Sequence, residues 1–583
     1  MAIESLITDH LDLWTAAVRP KSSAGRGASS KLELTGIKKL RELILELAVR
    51  GKLVPQDPSD EPASVLLERI AAEKARLVKE GKIKKPKALA EIGEEEKQFG
   101  LPKGWEWCRI NDVLHLENGD RSKNYPNKSA LVENGIPFVN AGQLSDGLVS
   151  KDELCFISKE RFDILNGGKF NDGDILFCLR GSLGKCAVVK NFGVGAIASS
   201  LVILRPYLPP ITNYIMIVMN APITSRNISK YNNGTAQPNL SAADLSKFGL
   251  PLPPLVEQHR IVAKVDELMA LCDQLELRSE SQLAAHQALV DTLLATLTDS
   301  SDADELAQNW ARLSIHFDTL FTTEASIDAL KQTILQLAVM GKLVPQDPTD
   351  EPASALLERI AAKKARLARE EGLRTSANEV VNITDEYIQC PNHWKWARLG
   401  NMAKFIDYRG KTPNKIDAGI RLITAKNIRY GYIDLSPEEF ISEADYEQWM
   451  TRGFPMVGDI LFTTEAPLGN AAIIDINESF ALAQRAICFQ WHDSIISRFM
   501  LVQILASPFQ NQLLDNSSGM TATGVKASRL KEIPVAVPPT EEQLRIVARV
   551  DELMALCDQL KSRLQTSQQT QLALAEALVE QAL

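Results

Sequence analysis

The chain has 583 residues, of which 45% are hydrophobic and 24% charged, and its formal net charge is −9. This composition excludes collagen-like, disordered and disulfide-scaffold proteins, and the length predicts about three to five domains. Apolar runs such as residues 215–219 are too short for a membrane span, and the first 18 residues lack the basic start of a secretory signal. We therefore expect a cytoplasmic protein with no membrane partner.

The chain begins with a predicted helical region, residues 1–100, that contains a repeated hairpin. Residues 43–77 and 333–367 align without gaps and are identical at 29 of 35 positions. Gly51 and Gly341 each follow an amphipathic stretch, so they are predicted to end a first helix. Asp60 and Asp350 are predicted N-caps of a second helix. Each copy is therefore predicted to form a helical hairpin.

Two variable domains are predicted over residues 101–252 and 390–537. They share landmarks at a nearly constant offset, such as the sequence GDILF at 173–177 and 458–462. Short runs rich in β-branched and aromatic residues alternate in both with Gly, Asn, Asp and Pro turns, which predicts a mainly β fold with different surfaces. The predicted strands lie within residues 136–141, 174–179, 186–190 and 200–206, and within 421–425, 459–464, 471–475 and 486–491.

A long helix is predicted after each variable domain. The first, residues 257–297, lies in a central helical spacer (253–389), and the second, 541–582, lies in the C-terminal region (538–583). Apolar residues follow the 4-3-4-3 spacing of a heptad seam, which such helices bury most simply on each other. The predicted fold class is α+β, with two mainly β domains separated by long antiparallel coiled-coil helices and a pseudo-two-fold internal repeat.

Charge is unevenly distributed along the chain, and the apparent catalytic motifs lack the residues or the structural context that they require. Residues 101–250 carry a net charge of +3 and residues 391–536 a net charge of zero, which fits nucleic acid approaching the variable domains but is also the balance of an ordinary globular domain. Gly410-Lys411-Thr412 resembles the end of a P-loop, but Phe405 stands where the first glycine belongs. The glycine pattern at 193–198 precedes a strand rather than a helix. No C-x-x-C or H-E-x-x-H pattern occurs, so no metal site is predicted.

On its repeated motifs the chain resembles the specificity subunit, HsdS type, of type I restriction-modification systems. GKLVPQDPxDEPA and EQxRIVAxVDELMALCDQL are similar to the family's spacer and partner-binding regions, and the variable segments to its target recognition domains. The resemblance implies a noncatalytic subunit that recognises an asymmetric bipartite site in double-stranded DNA. It also implies two methyltransferase subunits and restriction subunits as partners. No cofactor is expected in this chain, and S-adenosylmethionine, ATP and Mg²⁺ are expected on the partners.

Several loops resemble family loops that face DNA, and their side chains can bond base edges or phosphates. Any single residue could equally lie in a solvated turn, whereas the loops together favour DNA contact. The predicted DNA-binding residues are Arg121, Lys123, Asn124, Asn140, Gln143, Arg180, Ser182, Lys185, Asn232, Asn233, Gln237, Tyr408, Arg409, Lys411, Thr412, Asn414, Lys426, Asn427 and Lys526. For Trp105, Trp107, Trp394 and Trp396, structural packing is favoured over base stacking.

Two other functions stay open on the sequence alone. A coiled-coil adaptor with two protein-binding β-rich domains would show no sequence-dependent DNA binding when its partner is present. A self-contained modification enzyme would require this chain to bind a cofactor by itself.

Overall fold

A computed structural model describes residues 7–20, 32–85, 89–145, 147–231, 239–370, 381–382, 385–408, 413–518 and 523–583. The chain forms two compact units. Unit 1 comprises Met1–Gln282 together with Ser567–Leu583, and unit 2 comprises Leu283–Thr566. Within the described ranges, every helix is too short or too polar to pass through a lipid bilayer.

Helices dominate the segments outside the variable domains. The α-helices are α1 (Leu11–Ala16), α2 (Thr35–Val49), α3 (Ala63–Lys79), α4 (Ile110–Val113), α5 (Lys159–Ile164), α6 (Thr212–Asn220), α7 (Pro222–Tyr231), α8 (Ala242–Leu245), α9 (Leu255–Asp299), α10 (Ala303–Ile315), α11 (Phe317–Leu320), α12 (Glu324–Val339), α13 (Ala353–Glu370), α14 (Leu399–Met402), α15 (Glu443–Trp449), α16 (Ser497–Leu505), α17 (Ser507–Asp515), α18 (Ala527–Glu532) and α19 (Thr540–Ala582).

Strands are concentrated in the variable domains. They are β1 (Arg19–Pro20), β2 (Leu32–Glu33), β3 (Glu106–Arg109), β4 (Leu114–Asn118), β5 (Leu131–Val132), β6 (Ile136–Val139), β7 (Leu144–Ser145), β8 (Leu148–Val149), β9 (Cys155–Ile157), β10 (Lys169–Asn171), β11 (Ile175–Cys178), β12 (Cys186–Val188), β13 (Val194–Ile197), β14 (Leu201–Pro206), β15 (Gly249–Leu252), β16 (Lys395–Arg398), β17 (Ala403–Asp407), β18 (Ile420–Ile423), β19 (Phe440–Ile441), β20 (Ile460–Thr464), β21 (Leu468–Ile473), β22 (Phe480–Leu482), β23 (Ala486–Trp491) and β24 (Pro534–Val537).

Both predicted long helices are confirmed. α9 has 45 residues and α19 has 43, and each includes the whole residue range predicted for it. The first four seam positions are buried in both copies because a heptad stripe faces its packing partners, but Leu574, predicted further along the seam of α19, is 53% exposed. The buried seam residues are Ile261, Val265, Leu268 and Cys272 in α9 and Ile546, Val550, Leu553 and Cys557 in α19.

Glycines end the first helix of each hairpin, as predicted. Gly51 has φ +68°, and the amide of the following Lys52 donates to Leu47 O at 2.9 Å. In the second copy Gly341 has φ +66°, and the next amide makes the equivalent 2.9 Å bond one helical turn back. This geometry is a Schellman motif, in which glycine adopts the left-handed conformation without a steric penalty.

The predicted N-caps at Asp60 and Asp350 are wrong. α3 begins at Ala63 with Pro62 as its N-cap, so Asp60 lies too far upstream to cap it. Its carboxylate instead pairs with Arg260 of α9 at 2.6 Å, and Asp350 pairs with Arg545 of α19 at the same distance. Each aspartate therefore joins its hairpin to the long helix of the same unit.

The variable domain of unit 1 packs two sheets face to face. A six-stranded sheet has the order β4-β14-β11-β12-β8-β7, and a five-stranded sheet has the order β10-β13-β6-β9-β5. Leu176 and Ile203 of the first sheet share an apolar cluster with Val139, Phe170 and Ile197 of the second. All four strands predicted from the sequence of this domain are present as β6, β11, β12 and β14.

The variable domain of unit 2 repeats this plan with fewer strands. A four-stranded sheet, β17-β23-β20-β21, packs on a three-stranded sheet, β19-β18-β22, through Leu461, Cys488, Leu422 and Ala481. The opposite face of the four-stranded sheet, including Phe462, belongs to a cluster with α12, α16 and α19. The four predicted strands of this domain are β18, β20, β21 and β23, and the α+β class is confirmed.

Candidate nucleic-acid interface

Four loops of unit 1 leave the same end of its sheets. Strand pairing places the end of β4 and the end of β11 beside the start of β14, and the end of β6 beside the end of β13. The loops are linked where Ala198 N donates to Val139 O and Leu179 N donates to Ser200 O, both at 2.8 Å. We call this surface the first loop end, which comprises these four loops (residues 119–124, 140–143, 179–185 and 198–200) and residues 239–240, which are bonded to residues 179–180.

Two exposed arginines lie on the first loop end. Arg121 Nη2 donates to Ser199 O at 3.5 Å, and Arg180 Nε donates to Asn239 Oδ1 at 3.0 Å. Both guanidinium groups therefore reach the rim of the same sheet end, and each keeps several N–H donors for a further partner.

Cations on the first loop end have no acidic partner in the described part of the chain. Arg121, Lys123, Arg180 and Lys185 are exposed, and no described carboxylate lies within 4.0 Å of their charged nitrogens. By contrast Arg205, at the far end of β14, binds the buried Asp174 at 2.7 Å. The first loop end is therefore a positively charged surface, as a polyanion partner requires.

The corresponding loops of unit 2 make the same hydrogen bonds. Ala483 N donates to Ile423 O at 2.8 Å, and Thr464 N donates to Arg485 O at 2.9 Å. The strands involved end at the same edge of their sheets. We call this surface the second loop end, which comprises residues 408, 413–414, 424–427, 464–467, 483–485 and 523–526.

Charges on the second loop end are mostly paired. Arg485 lies 3.6 Å from Glu465, and Lys426 lies 3.9 Å from Glu439. Lys526 is exposed, and none of the described carboxylates lies within 4.0 Å of its ammonium group. The two loop ends thus share a backbone geometry and differ in charge, which agrees with the net charges of +3 and zero.

A tryptophan ties each variable domain to the long helix that follows it. Trp105 Nε1 donates to Glu257 Oε2 at 3.0 Å near the start of α9, and Trp394 Nε1 donates to Glu542 Oε2 at 3.1 Å near the start of α19. Burial raises the pKa of Glu257, against the lowering effect of its hydrogen bonds. Both tryptophans are buried, so the favoured packing role is confirmed for this pair.

The family model of the type I restriction modification DNA specificity domain matches residues 102–285 and 391–567. These two matches cover more than half of the chain and include both loop ends. The chain belongs to the type I restriction-modification DNA specificity family.

Similar relatives support the same family over the whole sequence. The EcoAI and EcoEI type I restriction enzyme specificity subunits of Escherichia coli are 42% and 41% identical to this chain, over 100% of both chains in each case. A chain from a structural study of complex assembly and conformational transition of the type I R-M system is 18% identical. It covers 83% of this chain and 98% of its own length, with a TM-score of 0.48.

As a specificity subunit the chain provides DNA sequence specificity, and the catalytic activities lie on other subunits. The predicted noncatalytic DNA-specificity function is therefore confirmed. The chain works with DNA and with other subunits of the restriction-modification complex. The alternative of a protein-binding adaptor is not favoured.

Three predicted DNA-binding residues of the specificity subunit are buried and have structural roles. Gln143 Oε1 accepts from Asn140 N at 3.0 Å, and its amide nitrogen donates to Glu153 O. Asn427 is fully buried, and its amide nitrogen donates to two backbone carbonyls at 2.9 and 2.8 Å. Tyr408 is also buried, with its hydroxyl donating to Gly453 O. These polar groups are satisfied inside the protein, so the prediction that these three side chains contact bases is wrong.

The other predicted residues fall into three groups. Asn124 and Asn140 are half-buried: the Asn124 amide donates to Ile164 O at the end of α5, and Asn140 Oδ1 accepts from Gly142 N in its own turn. The exposed group comprises Arg121, Lys123, Arg180, Ser182, Lys185, Asn414, Lys426 and Lys526. The group that lies outside the described residues comprises Asn232, Asn233, Gln237, Arg409, Lys411 and Thr412.

Residues outside the predicted set also lie on the loop ends. Ser199 and Ser200 lie on the first, and Glu465, Gln484 and Arg485 on the second. An offset of 285 residues relates Arg180 to Glu465 and Ser200 to Arg485. At that offset the predicted residue Arg180 indicates Glu465 in the second domain, whereas Ser200 was not predicted and gave no signal for Arg485.

Proposed function

We propose that each loop end binds one half of an asymmetric bipartite site in double-stranded DNA, in the cytoplasm. The cluster of exposed, unpaired cations on the first loop end is the observation that carries this proposal, because phosphate contacts dominate DNA affinity. The half-sites differ because the two loop ends carry different side chains. The proposed contacts are Arg121, Lys123, Arg180, Ser182 and Lys185 for one half-site and Asn414, Lys426 and Lys526 for the other.

Alanine substitutions in the assembled complex test the DNA interface. Arg180→Ala should relax selectivity in one half-site by about 1–3 kcal/mol, as expected for an arginine that reads a guanine edge. Lys185→Ala should weaken binding to all sequences and reduce the salt slope by about one, as expected for a phosphate contact. The measurement is competitive binding of DNA libraries at several salt concentrations.

Lys190→Ala is the matched control, because Lys190 is exposed and follows β12 at the opposite end of the sheet. It removes the same charge and should leave affinity and selectivity unchanged. Equal effects of Lys185→Ala and Lys190→Ala would contradict a DNA surface restricted to the loop end.

We propose further that one chain binds two methyltransferase subunits, and that restriction subunits join this complex. The support is a repeated surface: Leu271 of α9 and Leu556 of α19 are equivalent leucines, 36% and 47% exposed, in nearly identical sequence. An exposed leucine at the same place in both repeats suits an apolar contact that is made twice.

Native mass spectrometry of the co-expressed complex tests this stoichiometry. The wild-type chain should carry two methyltransferase subunits, Leu271→Glu or Leu556→Glu should carry one, and the double variant none. Leu277→Glu, at a 68% exposed leucine of the same helix without an equivalent in α19, is the control. A stable complex with one partner at saturation would contradict the proposal.

We propose that S-adenosylmethionine, ATP and Mg²⁺ bind to the partner subunits rather than to this chain. The support is the naming of full-length relatives as specificity subunits. Calorimetric titration of S-adenosylmethionine should show binding to the complex and none to this chain alone. Stoichiometric binding by the isolated chain would contradict this assignment.

A further inference from the structure

The backbone of the two loop ends is equivalent around one position, which is Arg180 in unit 1 and Glu465 in unit 2. The residue before it is hydrogen-bonded to the loop that leads into the neighbouring strand of the sheet, β14 in unit 1 and β23 in unit 2, through Leu179 N to Ser200 O and Thr464 N to Arg485 O. In both units the position itself forms an isolated antiparallel bridge, Arg180 with Asn239 and Glu465 with Gly524.

The side chains at this shared position have opposite charge. Arg180 is an exposed donor, whereas Glu465 is an acceptor whose side chain is 31% exposed. Arg485 lies 3.6 Å from Glu465 Oε1, which is too long for a hydrogen bond, and no other described residue donates to this carboxylate. Glu465 therefore keeps its acceptor capacity toward an incoming partner.

A carboxylate on a DNA-binding surface is repelled by phosphates unless it meets a hydrogen-bond donor. The donors that DNA presents in the major groove are exocyclic amino groups, and the established partner of Glu or Asp among them is cytosine N4. The positive charge of Arg485 reduces the repulsion between Glu465 and the DNA phosphates. Because Arg485 makes no hydrogen bond to Glu465, the lone pairs of the carboxylate stay available. The shared position is thus suited to bind a hydrogen-bond acceptor of a base in unit 1 and a hydrogen-bond donor of a base in unit 2.

We propose that Glu465 is a specificity-determining residue that accepts a hydrogen bond from the N4 amino group of a cytosine in the second half-site. It occupies the position from which Arg180 reads a guanine in the first half-site. The assignment rests on the proposed bipartite DNA binding and adds the residue and the base edge that separate the two preferences.

The test measures methylation of a DNA library, randomised in the second half-site, by the complete complex. The wild-type complex should prefer cytosine at one position. Glu465→Ala should reduce that preference about tenfold or more and leave the other positions and the first half-site unchanged. Glu465→Arg should change the preference at the same position to guanine. Glu478→Ala, an exposed glutamate in the loop before β22 at the opposite sheet end, should change nothing.

The outcomes separate this assignment from the proposed function. A bipartite wild-type preference that Glu465→Ala leaves unchanged, or loses throughout the second half-site, would overturn the role of Glu465 alone. A wild-type complex without a bipartite preference would overturn the proposed DNA binding and the assignment with it. If Glu465→Ala fails to assemble with its partners, the isosteric Glu465→Gln replaces it and should shift the preference from cytosine toward adenine, since an amide bonds adenine on two atoms.

Discussion

Arg109 shows how one residue can hold a domain boundary together. The residue is 7% exposed, and its guanidinium donates to both carboxylate oxygens of Glu96 at 2.7 Å. It also donates to the carbonyls of Ala90, Glu91 and Lys247. The linker before the variable domain is thereby fixed to the first strand of that domain.

This ion pair predicts a defined acid sensitivity. The hydrogen bonds from Arg109 lower the pKa of Glu96 from 4.5 to about 2, so the folded state binds a proton less readily than the unfolded state. The stability that Glu96 provides is therefore complete above about pH 4.5 and is lost as the pH falls toward 2. We expect Glu96→Gln to lower the free energy of unfolding above pH 4.5, and the difference from wild type to shrink below it.

Urea unfolding measured between pH 2 and 7 checks this expectation. Glu95→Gln is the control, because the neighbouring carboxylate is exposed and is not held by Arg109. A wild-type minus Glu96→Gln difference that stays constant with pH would contradict the assigned direction.

Residue identity predicted the chemistry of the loop ends but not the direction of each side chain. Arg180 and Lys185 are exposed as expected, because long charged side chains stay in water. Gln143 and Asn427 turn inward because each accepts a hydrogen bond from the backbone amide three residues before it. These amides belong to Asn140 and Thr424, respectively. That spacing is the signal of a capping-type turn, and it could have separated them from base contacts.

At the scale of elements, the glycine after α2 meets two separate requirements. Gly51 has φ +68°, and a Cβ there would lie 2.5 Å from Pro102 Cγ and 3.0 Å from Trp105. Gly341 repeats this situation, with Pro391 Cγ at 2.5 Å. The end of the helix is therefore pressed against the start of the variable domain in both units.

We expect Gly51→Ala and Gly341→Ala each to destabilise the protein by about 3 kcal/mol, from left-handed strain of roughly 1–2 kcal/mol and a steric clash of similar size. Gly81→Ala isolates the strain, because Gly81 has φ +69° and no atom of the described residues lies within 4 Å of its Cβ position. It should cost about 1–2 kcal/mol. Thermal unfolding midpoints measure both, and equal losses at Gly51 and Gly81 would show that the clash contributes nothing.

Helices and strands whose apolar residues follow a clear period were predicted accurately. The residue at which a helix begins was predicted less well. Periodicity identified both long helices and the main strands, because burial of one face selects the spacing of apolar residues. The start of α3 was misplaced because an aspartate before a helix resembles an N-cap in sequence. The competing partner, Arg260, is 200 positions away and becomes visible only in the fold.

At the scale of the molecule, each variable domain begins and ends on one small sheet. β3 pairs with β15 in unit 1, and β16 pairs with β24 in unit 2, so the chain enters and leaves each domain through adjacent antiparallel strands. A domain with adjacent termini can be exchanged without rerouting the scaffold.

We therefore expect that replacing residues 101–252 with the corresponding segment of the EcoAI relative changes one half-site and leaves the other intact. Sequencing of methylated DNA from cells that carry the complete complex measures both halves at once. Reinsertion of the original segment is the control. A change in both halves would contradict independent recognition by the two domains.

The repeats predicted the order of domains but not the membership of the units. Residues 253–275 and 538–560 are identical at 19 of 23 positions. Their apolar seams therefore do not indicate which half of the chain each long helix packs against. Unit 1 nevertheless includes residues 567–583, and unit 2 includes the end of α9 from residue 283. That choice depends on packing along the whole helix, which a local pattern does not encode.

Unit 1 thus draws on both ends of the sequence, which has a consequence for biosynthesis. Lys39 of α2 lies 3.9 Å from Glu576 of α19, and Ala575 is fully buried. On the ribosome, residues 567–583 emerge only after all of unit 2 has been made. The unit that is translated first is therefore completed last, because the end of α19 that belongs to it is synthesised after every residue of unit 2.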